Sequence, residues 1–270
     1  MPGLRYDKFI LFGDSITQFS NSQQDGFAFQ PAIQDLYQRK LDVINRGYSG
    51  YNSNHAREIL PEILKAELNS AKDNVKLLTI FFGTNDAFQI EDETNKVQSV
   101  EVEKYKENLN AMVELALANN IKPVIVGPGI HDCKRVRLFF TDRPTEKAPV
   151  TNKRLLDYSN AAKEVAAKHK VAFVDTWNAF REYGGWTEQQ LFDATGLGEW
   201  EVGTLEHLVP DGVHFSPLAY KILYEKLIEA IDKNYPELNA DKLPEKLSYW
   251  RDLDPSNYKN LIFNKGDLDN

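Results

Sequence analysis

Cysteine is nearly missing from this 270-residue chain: Cys133 stands alone. An internal disulfide is therefore excluded, and a reducing compartment such as the cytoplasm is the expected setting. Long apolar runs are missing too. The run that follows Asp7 and Lys8 ends at Gly13, too short for a secretory h-region and suited to a strand. No stretch approaches the length that crosses a bilayer, and no Asn-x-Ser/Thr acceptor occurs. Positive charge is sparse where a polyanion partner would need it dense. With a net charge of −8 and a pI near 5.3, and with no cluster of Lys and Arg, neither nucleic acid nor an anionic membrane surface is an expected partner. Gly-x-Ser-x-Gly, Gly-x-Gly-x-x-Gly and Walker sequences are absent, which removes the common α/β-hydrolase, dinucleotide and nucleotide-triphosphatase readings. Internal repeats and low-complexity linkers are absent as well.

What is present is enough apolar composition, 42% of residues, to bury a substantial core, at a length near the upper end for one domain. The chain reads as one main domain over residues 1–235 with a C-terminal extension over 236–270. Five short apolar runs predict strands: Phe9 to Phe12, Leu41 to Ile44, Leu77 to Phe82, Pro123 to Val126 and Val171 to Val174. Between them the spacing is helical. Val102, Tyr105, Leu109, Met112 and Val113 share one helix face; Leu155, Tyr158, Ala162, Val165 and Ala166 share another; Leu218, Ile222, Leu223, Leu227 and Ile231 mark a last amphipathic helix. Strands alternating with helices predict an α/β fold, a three-layer, doubly wound, parallel five-stranded sheet with the flavodoxin-like order 2-1-3-4-5.

The first strand delivers a serine. Gly13-Asp14-Ser15-Ile16 follows Phe9-Ile10-Leu11-Phe12, so Ser15 leaves the carboxyl end of a buried strand, where open α/β sheets place their chemistry. A serine hydroxyl needs a base to take its proton and an acid to orient that base. Both occur near the end of the predicted domain, in Val209-Pro210-Asp211-Gly212-Val213-His214-Phe215-Ser216-Pro217. Pro210 and Gly212 suit a tight turn that lets Asp211 reach Nδ1 of His214. Ser216 as an N-cap and Pro217 as a first helical residue anchor the loop. Acyl transfer also needs donors for the oxyanion. Gly50, after the second strand, and the Asn85 amide in Gly83-Thr84-Asn85-Asp86, after the third, are suited to that task, with the Ser15 N–H as a third donor.

Taken singly, each feature has a plainer reading. Gly13-Asp14-Ser15 is also a strand-ending turn with a helix cap, Asp211/His214 a solvated surface turn, Asn85-Asp86 a turn cap, and Gly50 a loop residue needing positive φ. Four such features, each at a strand exit or before a helix, argue together against coincidence. His131-Asp132-Cys133 lacks the further ligands a metal site requires, so no metal or organic cofactor is expected. His55, His169 and His207 read as surface or structural residues, and Glu91-Asp92-Glu93 as a solvated loop.

These residues resemble the SGNH or GDSL-type hydrolases, whose Ser, Gly, Asn and His are matched in order by Ser15, Gly50, Asn85 and His214. Gly13 to Thr17, Glu58 to Lys65, Val124 to Gly129, and the tail from Tyr235-Pro236-Glu237 to Trp250-Arg251-Asp252 look like the fungal isoamyl acetate-hydrolysing esterase branch. The resemblance spans most of residues 8 to 252. It is looser between Asp132 and Thr151, between Arg181 and His207, and after Asp254. It implies a serine esterase acting on small acetate esters of medium-chain alcohols. The motifs themselves establish acyl chemistry only, so an acyltransferase or carbohydrate deacetylase with the same triad is the enzymatic alternative, and a non-catalytic binding subunit of the same fold the alternative of another class. In the extension, Tyr249, Trp250, Leu261, Ile262 and Phe263 suit docking across the pocket mouth or against a second copy in a homodimer. Pro236 to Trp250 is therefore expected to pack on the catalytic domain or a second copy and to help shape the pocket, the alternative being a simple surface anchor with no effect on substrate choice.

Overall fold

The computed structural model describes residues 4–68, 74–89, 96–139, 150–194, 205–264 and 267. Strand β1 (Asp7–Gly13) forms from the apolar run whose Phe9 to Phe12 side chains are all fully buried. Burial on both faces is the mark of a central strand in a parallel sheet. Helices α1 (Ser15–Gln18) and α2 (Phe29–Leu36) lead to β2 (Leu41–Gly47), and α3 (Ser53–Glu67) crosses to β3 (Val75–Phe81). Then come α4 (Val102–Ala118), β4 (Lys122–Val126), α5 (Cys133–Phe139), α6 (Asn152–His169), β5 (Ala172–Val174), α7 (Thr176–Gly184), α8 (Glu188–Asp193), α9 (Pro217–Asn234) and α10 (Tyr258–Leu261).

The sheet has the order β2-β1-β3-β4-β5, with every pairing parallel, as the alternation of strand and helix predicts. Helix α4 packs between α3 and α6, while α2 and α7 pack on α9. The chain thereby covers both faces of the sheet and leaves its carboxyl edge for loops. Strand ends differ slightly from expectation. Strand β3 stops at Phe81, because Gly83 (φ 125°) turns the chain out of the sheet, and Phe82 instead packs its ring on Phe12 at 4.9 Å. Strand β5 begins at Ala172, since Val171 N–H still donates to Ala166 C=O at the end of α6.

The course of the C-terminal segment corrects one part of the sequence expectation, that it helps shape the pocket. Tyr235 Oη donates to Pro123 C=O at 2.6 Å and accepts from Ala172 N–H at 3.0 Å, which fixes it at the starts of β4 and β5. Leu238 C=O accepts from Tyr37 Oη, Ala240 C=O from Lys40 Nζ, and Lys246 N–H donates to Arg39 C=O, all just before β2. The segment therefore runs along the amino edge of the sheet, about 20 Å of strand away from Ser15. It does not shape the pocket mouth of its own chain. Tyr249 and Trp250 are not docked: they are 47% and 66% exposed, with Arg251 stacked over both rings. Their short helical turn carries no buried residue. Ile262 C=O accepts from Ser248 N–H, so the last described residues fold back on the tail itself. The Glu91-Asp92-Glu93 run lies outside the described residues.

Candidate active site

Ser15 opens α1 directly after β1, and the turn between them is built by its neighbours. Asp14 caps the helix, its Oδ1 accepting from Ile16 N–H at 2.9 Å. A Cβ on Gly13 would lie 2.1 Å from Thr17 Oγ1 and 2.8 Å from Phe81 C=O, so no larger residue fits there. Gly47 has the same duty from the next strand: a Cβ there would meet Gln18 N at 2.1 Å, and its absence lets α1 sit on the end of β2. From the far side, Tyr220 Oη on α9 donates to Ile16 C=O at 2.6 Å. Ser15 is thus held in a buried corner at the carboxyl edge of the sheet.

The loop before α9 brings the base to it. Asp211 Oδ1 accepts from Val213 N–H at 2.9 Å and His214 N–H at 2.7 Å, an Asx turn that leaves Oδ2 against His214 Nδ1 at 2.5 Å. His214 Nε2 lies 3.0 Å from Ser15 Oγ. Gly212 (φ 96°) sits where a Cβ would strike Asp132 C=O and Val136 N at 2.6 Å, and its own C=O accepts from Asp132 N–H. Ser216 accepts from Ala219 N–H at the start of α9, with Pro217 in the first turn, so the loop ends on a capped helix. The rings of Phe19 and His214 meet in a T-shaped contact, their centroids 5.3 Å apart.

Electrostatics decide which way the protons face. Burial alone would raise Asp211, but hydrogen bonds and the charge of His214, together with the two backbone N–H groups, bring it down to about 2. An ionised carboxylate can only accept, so Nδ1 carries the imidazole proton and Nε2 presents a lone pair to the Ser15 hydroxyl.

The two other loops that carry expected site residues leave β2 and β3, the strands on either side of β1. Tyr48 to Tyr51 form a turn closed by Tyr51 N–H donating to Tyr48 C=O, with Gly50 at the third position and φ 78°, the value a type II turn requires there. Asn85 sits in the turn after Gly83, its Nδ2 donating to Tyr51 C=O at 2.8 Å. Asp86 joins the loops: both carboxylate oxygens accept from Ser53 N–H, at 3.0 and 3.2 Å, at the start of α3. Ser15, Gly50, Asn85, Asp211 and His214, the five residues singled out in the sequence, all fall at this edge.

Several residues at the same edge carried little sequence signal. Asp14 and Asp86 are fully buried carboxyls, and burial pushes them up to about 7 and about 6 despite the N–H groups they accept. His131 leaves β4 at the same edge, its backbone clamped by Asn152 through bonds of 2.7 and 3.0 Å. Burial, then the nearby His214, press it down to about 3, so its imidazole is neutral. The neighbours of His131 are occupied locally. Asp132 Oδ1 caps α5 by accepting from Lys134 and Arg135 N–H, and Cys133 Sγ donates to Val150 C=O. Among the described residues no three His, Cys, Asp or Glu side chains are grouped to hold a metal ion. His55 is structural, its Nδ1 accepting from Asn52 N–H in the capping box of α3.

Comparisons with known proteins agree with this architecture. A model of the GDSL-like Lipase/Acylhydrolase family matches residues 11–222. The chain is 35% identical over 254 residues to an isoamyl acetate-hydrolyzing esterase of Saccharomyces cerevisiae, covering 92% of this chain and 95% of that protein. It is 30% identical to the human isoamyl acetate-hydrolyzing esterase 1 homolog, covering 98% and 95%. Among solved structures, a lipase/acylhydrolase from Enterococcus faecalis superposes with a TM-score of 0.56 at 24% identity, covering 90% of this chain and all of that one. An acetyl-xylooligosaccharide esterase mutant from Geobacillus superposes with a TM-score of 0.60 at 20% identity, covering 86% and 96%. At those identities the superpositions speak to the fold.

Proposed function

We propose that this chain, which belongs to the GDSL-like lipase/acylhydrolase family and is a carboxylic ester hydrolase, cleaves small acetate esters of medium-chain alcohols through Ser15, His214 and Asp211. The observation that carries the mechanism is the continuous line from Asp211 Oδ2 to His214 Nδ1 at 2.5 Å and from His214 Nε2 to Ser15 Oγ at 3.0 Å. Along it the hydroxyl proton moves to Nε2 as Oγ bonds to the ester carbonyl carbon. Asp211, ionised, balances the imidazolium that results. The carbonyl oxygen becomes an oxyanion, received by the N–H groups of Ser15 and Gly50 and the free N–H of the Asn85 amide. The Nε2 proton then passes to the departing alcohol oxygen as the carbon–oxygen bond breaks. Water, deprotonated by the same nitrogen, attacks the carbonyl carbon of the acyl-Ser15 ester; the carbon–Oγ bond breaks, Nε2 returns its proton to Ser15 Oγ, and the carboxylic acid leaves. No step calls on a metal or organic cofactor.

The acetate and alcohol preference rests on the likeness to the isoamyl acetate-hydrolyzing esterases. Among the described residues no helix is long and apolar enough to cross a membrane. The single cysteine suits a cytoplasmic setting, and the exposed Tyr249 and Trp250 are the patch through which a homodimer would form.

The test is labelling with a fluorophosphonate together with turnover of acetate, butyrate and octanoate esters. Label on Ser15, loss of turnover in Ser15→Ala and a preference for the acetate are expected. Label on another serine with Ser15→Ala fully active would overturn the mechanism. A preference for transfer to an alcohol or sugar over water would replace hydrolysis of simple esters by the transferase reading.

A further inference from the structure

Gln98 lies between the end of the Gly83 turn and the start of α4, half-buried, and no motif draws attention to it. Its backbone is held by the loop that carries Gly50: Asn52, the N-cap of α3, donates from Nδ2 to Gln98 C=O at 2.8 Å and to Val97 C=O at 3.1 Å. Its side chain returns across that loop. The single –NH2 group of Gln98 is 3.4 Å from Gly50 C=O and 3.4 Å from Asn85 Oδ1, giving one N–H to each acceptor.

We propose that Gln98 is a positioning residue for ester hydrolysis, holding the Asn85 amide in the orientation that turns an N–H toward the oxyanion; this rests on the reading of Asn85 and Gly50 as oxyanion donors. A terminal amide has a roughly two-fold torsion, so Asn85 has two settings that exchange its oxygen and nitrogen at nearly the same shape. In the observed setting, Nδ2 gives one hydrogen to Tyr51 C=O and keeps the other, while Oδ1 accepts from Gln98. Turned over, Oδ1 would face the Tyr51 carbonyl oxygen and Nδ2 would face the Gln98 –NH2, acceptor against acceptor and donor against donor. The turned amide would also put an oxygen lone pair where negative charge develops. Tyr51 C=O alone opposes the flip from one side. Gln98 opposes it from the other and also ties down Gly50, whose own N–H belongs to the same set of donors.

Gln98→Glu is the informative variant, being nearly isosteric but offering acceptors where Gln98 offers donors. The carboxylate repels Gly50 C=O and Asn85 Oδ1, and rewards the turned amide. Its kcat should fall about tenfold or more, short of the roughly 10²–10³ expected for losing the Asn85 donor outright, with KM nearly unchanged because a neutral ester makes little use of the donor. Gln98→Leu, which removes the donors without adding acceptors, should fall less. In an Asn85→Ala background both substitutions should lower kcat by a much smaller factor than in the wild type, because the amide they disturb is gone and only the contact with Gly50 C=O is left to lose. A general loosening of the loop would instead carry its full factor into that background and would overturn the proposal. So would wild-type kcat in Gln98→Glu while Asn85→Ala is impaired. Wild-type kcat in Asn85→Ala itself would instead remove the oxyanion reading on which the proposal stands. Thermal melts accompany each variant, and if Gln98→Glu does not fold, Gln98→Leu enters the same double-variant comparison and decides it.

Discussion

At the carboxyl edge of the sheet the chain turns through positive φ at Gly50, Gly83 and Gly212 and buries polar groups with incomplete pairing; Asp14 Oδ2 is buried without a hydrogen-bond partner. At the amino edge, the buried tyrosines that follow α9 and α2 are paired, Tyr235 with Pro123 and Ala172, and Tyr37 with Leu238. Both edges are built on the same five strands, so the contrast does not come from the sheet. It comes from what each edge must hold. A nucleophile needs desolvated, pre-aimed dipoles, and those cost folding free energy. A strap needs only satisfied hydrogen bonds and buried apolar surface. Substitutions at the first edge should therefore act on rate, and those at the second on stability.

The largest rate effect short of removing Ser15 is expected at Asp211. In Asp211→Asn an amide N–H would face His214 Nδ1, favouring the tautomer with its proton on Nε2, which then donates toward Ser15 instead of accepting. By analogy with the same change in a serine protease triad, kcat should fall about 10⁴-fold. Steady-state turnover of a short acyl ester checks this, and near-normal turnover would show that another group orients His214. Next in size is Asn85→Ala, for which a fall in kcat of about 10²–10³ with a smaller change in KM is expected. A folded Asn85→Ala protein with normal kcat would remove the residue from the oxyanion site.

The buried acids test the same contrast through pH. Asp14 and Asp86 are raised by burial to about 7 and about 6, above their value in an unfolded chain. Between about pH 4 and pH 7 the unfolded state thus releases protons before the folded state does, so these groups make stability fall as pH rises through that window. Asp14→Asn keeps an oxygen for Ile16 N–H and removes the titration, so the slope of stability against pH should flatten. One pKa unit corresponds to about 1.4 kcal/mol. Asp211 has the opposite sign: lowered to about 2, it contributes stability that is full above about pH 4 and lost as pH falls toward 2. Denaturant titrations of the wild type and Asp14→Asn across the window would expose an unchanged slope, and with it a wrong assignment of the buried charge.

The strands and their order were legible because a buried parallel strand is an unbroken apolar run and its crossover is an amphipathic helix. Both patterns are local, and Phe9 to Phe12 shows the first most plainly. Asp211 and His214 were legible because an Asx turn closes within three residues. Gln98 was not, since its role lies in long-range bonds to Gly50 and Asn85 that leave no periodicity behind. Gly47 was hidden likewise: nothing in its own segment says that α1 will pack on it. The tail misled for a related reason. Aromatic residues in a polar segment predict burial, yet Tyr249 and Trp250 lie exposed, and the anchoring falls to Leu238, Ala240 and backbone carbonyls.

The smallest effects on rate should come from that tail, and they sharpen the contrast from the other side. Truncation after Tyr235 would remove the buried Leu238 and Ala240 and leave Tyr37 Oη and the Arg39 and Lys40 side chains without the partners they hold there. Burying a leucine is worth about 1.5–3 kcal/mol, and an orphaned buried hydroxyl costs about 1–3 kcal/mol. The truncated protein should therefore melt well below the full chain while keeping its preference among acyl chain lengths, because the amino edge does not reach the site. Point variants divide the loss: Leu238→Ala should cost about 2–5 kcal/mol, whereas Trp250→Ser, changing an exposed ring, should stay within about 0.5 kcal/mol. Melting curves and chain-length profiles of the three proteins, with mass measurement in solution, check both halves. A changed acyl preference in the truncation would mean that the tail of one chain reaches the pocket of another. Trp250→Ser should lower the mass in solution whichever way the acyl preference falls, because its ring lies in the patch proposed for the homodimer.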